Sequence, residues 1–161
     1  KKGQSVNCIV KSLPEVQKFS ISDVKLVTIT VDKVLHGNEI VWAQGNPVFT
    51  FTVNGTDLDG EEHTYTNMVE FAKDNTDTRA DVSKRIVFTL PAGTYKVKEE
   101  ANMRYKLEKI DQVVNGTVQD SQVEFKLTVN QNGAAVFTNK KKDDRLLTDT
   151  GLVRNVVIPK N

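Results

Sequence analysis

Apolar and polar residues alternate with a period of two along most of this chain, and no stretch sustains the 3.6-residue period of an amphipathic helix. Side chains of a strand point alternately to opposite faces, so the pattern predicts strands half buried against a common core. The runs richest in β-branched and aromatic residues are 27–34, 48–53, 64–71, 86–90, 95–99, 105–114, 123–129 and 134–139. Asn54-Gly55, Asp59-Gly60, Asn115-Gly116 and Asn132-Gly133 offer the positive φ that tight reversals need, and Pro91-Ala92-Gly93 supplies another stop. Short strands at this spacing predict an all-β sandwich. Residues 73–84 are polar and charged and read as a surface loop with room for one helical turn, while the charge run over 140–145 reads as a solvated exit from the domain.

The length of 161 residues fits one domain. The expected division is a flanking segment or edge strand over 1–24, the sandwich over 25–142, and a C-terminal extension or the start of a next module over 143–161. A first residue Lys1, with no Met or apolar leader, is expected of a processed or excised fragment. Lys and Arg number 22 against 21 Asp and Glu, interspersed, which leaves no basic stripe for nucleic acid. No run reaches the roughly 18 apolar residues of a membrane span. The single cysteine, Cys8, has no internal partner, and His36 and His63 alone make no metal-ligand spacing, so neither a metal nor a cofactor is expected. No Ser-His-Asp set or phosphate loop can be assembled, which argues against an enzyme acting on external substrates.

Strand parity singles out three polar residues. Lys33 continues the face of Val27, Ile29 and Val31; Glu99 continues that of Tyr95 and Val97; Asn139 continues that of Ala135 and Phe137. Burying a lone charge costs several kcal/mol, so three such groups at the ends of apolar stripes are tolerable if they meet. In a dry pocket the lysine shifts towards its neutral amine and the carboxylate towards its acid. Lys33 is then a candidate nucleophile towards the Asn139 side-chain carbonyl, with Glu99 as the positioned acid and proton shuttle, and the product is an amide crosslink. Parity leaves an alternative open, in which Lys33 and Glu99 pair at the sandwich rim and Asn139 caps a turn.

Residues 27–34 (Val-Thr-Ile-Thr-Val-Asp-Lys-Val), 49–53 (Phe-Thr-Phe-Thr-Val), 90–101 with their Gly-x-Tyr-x-Val-x-Glu core, and 136–141 with Phe-Thr-Asn-Lys follow one another in the order that resembles the B-type (Cna-B-like) domain of Gram-positive pilins and collagen-binding adhesins. The resemblance covers roughly 24–142. It implies an immunoglobulin-like sandwich of inverse topology and a Lys33–Asn139 isopeptide bond with Glu99 as its catalyst. It further implies a structural stalk role, export to the cell wall, sortase attachment, and neighbouring modules or pilin subunits as partners. Leu147-Thr148-Asp149-Thr150-Gly151 is similar to a sortase signal but has Thr148 in place of its proline, and Lys160 is a candidate sortase acceptor in a stretch lacking the motif's usual tryptophan and tyrosine. Trp42, beside Gly45 and Pro47, reads as a packed loop anchor. Two other readings remain open: an adhesin head that binds a host matrix protein or glycan through its loops, and a glycosylated secreted domain suggested by the Asn54-Gly55-Thr56 and Asn115-Gly116-Thr117 triplets.

Overall fold

The computed structural model describes residues 24–74 and 79–143. Among the described residues nine strands form two sheets. One is built from β1 (Leu26–Leu35), β4 (Val82–Pro91), β6 (Tyr105–Val114) and β9 (Gly133–Lys141), in the order β4-β1-β9-β6. The other contains β2 (Val48–Asp57), β3 (Glu62–Glu70), β5 (Gly93–Glu99), β7 (Gly116–Gln119) and β8 (Gln122–Leu127), in the order β3-β2-β5-β8-β7. The protein is an all-β, immunoglobulin-like sandwich. Its core is made by the inward sets that alternation predicts: Val27, Ile29 and Val31 of β1 face Phe49, Phe51 and Val53 of β2, with Tyr95, Phe125 and Phe137 filling the centre. Phe51 and Phe137 meet edge to face across the two sheets, ring centres 5.2 Å apart.

The first and last strands lie side by side and parallel, with Lys33 opposite Phe137 and Leu35 opposite Asn139. Parallel neighbours require a crossover, and here that crossover is almost the whole domain.

Several expectations need correction. Asn54-Gly55 is not a reversal; both residues lie inside β2. Gly55 is there because β5 passes so close that a Cβ would sit 2.0 Å from the Thr94 carbonyl oxygen. Asn132-Gly133 opens β9, and the positive φ of that connection falls on Asn130 instead. The Asp59-Gly60 and Asn115-Gly116 turns fall where expected, with Gly60 at φ 92° and Asn115 at φ 57°. The polar segment 73–84 is not loop throughout: β4 begins at Val82, since pairing with Leu35 and Val34 of β1 outweighs its polar composition. The edge strand β7 was not foreseen, because four residues are too few to show a period. The charge run is not free from its start: β9 continues to Lys141, and the Lys142 amide donates to the Arg104 carbonyl at 2.9 Å. Among the described residues no helix is long and apolar enough to cross a membrane.

Candidate functional site

Lys33 enters the core because β1 keeps its period of two to the end, placing the side chain in the row of Val27, Ile29 and Val31. Lys33 and Asn139 are both 0% exposed, and the Glu99 side chain is 5% exposed. The lysine and asparagine come from neighbouring strands of one sheet, whereas Glu99 ends β5 of the other, opposite Phe51. The carboxylate therefore reaches across the core to both. Its Oε2 lies 3.1 Å from Lys33 Nζ, and its Oε1 accepts a 2.6 Å hydrogen bond from Asn139 Nδ2. One glutamate thus holds the two other side chains, one on each oxygen. Asn139 Oδ1 is buried and accepts no hydrogen bond from the described residues. Burial this complete, with Asn139 inside β9, rules out the exposed rim pair and the turn cap that parity had left open.

Two effects oppose each other at Lys33. Burial pushes its pKa down, and the Glu99 carboxylate pushes it up; burial wins, leaving a value of about 8. Nζ also donates to the carbonyls of Phe137 at 3.2 Å and Val34 at 3.4 Å, and sits 4.4 Å from the centre of the Phe49 ring. Those contacts fix the amine without giving it a water shell. A cavity of about 230 Å³, walled by Glu99, Tyr105, Leu107 and Ser121 among others, adjoins the glutamate.

Sequence reasoning missed Phe49 and Glu39 as neighbours of this site. Phe49 read only as core, and Glu39 lies in a connection where parity gives no signal. Glu39 Oε2 accepts the backbone N–H of Lys141, two residues beyond Asn139, at 2.9 Å. Trp42 lies in a short 3-10 turn (Trp42–Gln44), half buried and packed on the core.

The two histidines pair with carboxylates. His63 Nε2 lies 2.8 Å from Asp57 Oδ2, while Asp57 Oδ1 accepts the N–H groups of Asp59 and Glu61, so this carboxylate closes the β2–β3 hairpin. Asp57, Glu61 and His63 bring one potential ligand atom each within 4.8 Å, a grouping whose spacing across a turn was not recognised in the sequence. His36 stands between Asp81, 3.2 Å from Nδ1, and Glu108, 3.3 Å from Nε2. Burial lowers its pKa, but the hydrogen bonds to both carboxylates more than reverse this and leave it raised. A raised folded-state value means that the clamp's stabilisation is fully present below the unfolded pKa of 6.5 and fades as pH rises through the folded one. His36→Ala is accordingly expected to lower stability by roughly 0.5–1 kcal/mol at pH 5 and by less at pH 8, which melting curves at the two pH values check. Cys8, Lys160 and 147–151 lie outside the described residues.

The sandwich thus has neighbouring first and last strands and a lysine, an asparagine and a glutamate that meet in its core. The chain belongs to the FctA family, the Spy0128-like isopeptide containing domains, whose family model matches residues 29–142. That agrees with the pilin-type resemblance drawn from the sequence. A solved bacterial adhesin from Mobiluncus mulieris, containing intramolecular disulfide, isopeptide and ester bond cross-links, is 12% identical with a TM-score of 0.39; the match covers 73% of this chain and 42% of that one. The chain thus spans less than half the length of that adhesin. No curated protein matches the chain.

Proposed function

We propose that this domain is a structural stalk or shaft module of a cell-wall-anchored surface fibre, locked by an isopeptide bond that forms once, without an external enzyme, between Lys33 and Asn139. The observation that carries the reading is Glu99, whose two oxygens hold the lysine nitrogen at 3.1 Å and the asparagine amide nitrogen at 2.6 Å in a buried site. Glu99 takes a proton from the Lys33 ammonium, and the neutral Nζ attacks Asn139 Cγ. Glu99 returns that proton to Nδ2 as the Cγ–Nδ2 bond breaks, so ammonia leaves and an Nζ–Cγ amide remains. The second proton lost by Nζ goes through the carboxylate to the departing ammonia, which exits as ammonium with Glu99 ionised again. The cavity beside Glu99 gives the small product a way to water. On this reading the partners are neighbouring modules or pilin subunits, with sortase as the joining enzyme, and the location is the cell surface.

The mechanism fixes the pH dependence. The reactive pair carries one proton, shared between Lys33 and Glu99. A second proton removes the nucleophile, and loss of the only one, expected above about 8 where Lys33 deprotonates, removes the acid. Protein recovered unfolded from inclusion bodies and refolded between pH 5 and 10, with aliquots quenched in denaturant and weighed by mass spectrometry, gives the rate. It should be level near neutrality and fall above about pH 8. A rate that climbs through that value and stays high would remove Glu99 as proton donor.

A further inference from the structure

The connection between β1 and β2 spans the end of the sandwich at which the three side chains meet. It leaves from Leu35, the strand partner of Asn139, and returns at Val48, one residue before the ring that faces Lys33 Nζ. Its two ends are buried at Gly37 and Pro47, and Ile40 and Trp42 between them pack against the core. Four ties hold it. His36 sits between Asp81 and Glu108; Arg104 donates to the Gly45 and Asn46 carbonyls at 3.3 Å; the Pro47 carbonyl accepts from the Phe71 N–H at 2.9 Å. The fourth, from Glu39 to the Lys141 N–H, reaches the strand that carries Asn139.

We infer that residues 36–47 form a cap that keeps water from the crosslinking site, and that Glu39 is the positioning residue that fastens this cap to β9. The inference rests on the reaction proposed above. A transfer that needs a neutral amine beside a protonated acid depends on low dielectric, because water favours the ion pair instead. Lys33 lies near the exit of β1 and Asn139 near the end of β9, so neither strand alone closes that end; the connection does. A side chain that only terminated β9 would have no influence on the protonation of Lys33.

The test uses the full chain with Glu39→Ala and Glu39→Gln, refolded as above. Trp42 is the only tryptophan of the sequence, so intrinsic fluorescence reports the cap directly. For Glu39→Ala we expect crosslinking slowed roughly tenfold or more, an alkaline limb moved up from about 8 towards 10.5, and red-shifted Trp42 emission. Glu39→Gln keeps an oxygen that accepts the same N–H and should restore all three. Wild-type rate and limb in Glu39→Ala, or a Gln variant as slow as the Ala variant, would overturn the inference. Should Glu39→Ala not fold, Trp42→Ala thins the cap without touching its tie, and an unmoved limb there would overturn it equally. If the wild type never loses ammonia, the crosslinking reading itself fails, and the Trp42 emission of Glu39→Ala still decides whether Glu39 holds the cap.

Discussion

Lys33→Ala, Glu99→Ala and Asn139→Ala are each expected to give a folded domain that keeps its full mass and melts roughly 10–20 °C below the wild type. A bond from Lys33 to Asn139 closes a loop of about 100 residues, and constraining the unfolded chain to that extent is worth roughly 4–5 kcal/mol on the chain-entropy model. The three variants should not be equal. Glu99→Ala leaves the fully buried Lys33 with no opposite charge, and removing one partner of a buried pair costs about 3–5 kcal/mol. It should therefore be the least stable near neutral pH. Lys33→Met fills the same volume without a charge and should lose less. Asn139→Ala retains the ion pair, and its lysine binds a proton less readily when folded than when unfolded. Its stability should accordingly rise between about 8, the folded value, and 10.5, the unfolded one. Protease half-lives and melting curves check the order, and identical curves for the wild type and all three Ala variants would remove the crosslink from the explanation.

Pulled from its two ends, the wild-type domain is expected to show no unfolding extension, whereas Asn139→Ala should lengthen by roughly 350 Å in one step. The strands explain why. Tension enters along β1 and leaves along β9, which run parallel and adjacent, so that without a covalent bond the load falls on the hydrogen bonds from Ile29–Gly133 to Leu35–Asn139. With Lys33 joined to Asn139, force passes along β1 to residue 33, through the amide, and out along β9 from residue 139. Residues 34–138 are removed from the load path, and their fully extended length at about 3.3–3.6 Å each is the step that only the uncrosslinked variant can release. Atomic-force pulling of the domain between inert handles reads this directly. A full-length step in the wild type would contradict the stalk role proposed here.

Much of this arrangement was legible in the sequence because strand parity is a local property that tertiary packing seldom reverses. The period of two runs through Lys33 and Val97-Lys98-Glu99 and is blurred only at Thr138, buried between Phe137 and Asn139, and the structure places all three polar residues in the core rows. What parity could not give was distance. That Glu99 crosses from the opposite sheet to hold both partners depends on how the sheets stack, which no single strand encodes. Glycines misled where their role was close approach rather than turning. Gly55 sits in mid-strand against β5, and Gly133 at the start of β9, where a Cβ would come 2.6 Å from the Phe125 ring. The contribution of Glu39 was invisible because its partner is the backbone of a residue 102 positions away. Polar composition hid the start of β4, whose residues gain their order from β1 rather than from their own propensity.

The central claim is a covalent bond, and intact mass tests it most directly. The purified protein, denatured and weighed, should fall about 17 Da below the mass of its sequence, one ammonia lost in the transfer to Lys33. Digestion should then join the peptides holding Lys33 and Asn139 into a single branched species, absent from Glu99→Ala. A mass equal to that of the sequence, with the two peptides separate, would contradict the account and leave Lys33, Glu99 and Asn139 as a buried polar network inside an ordinary sandwich.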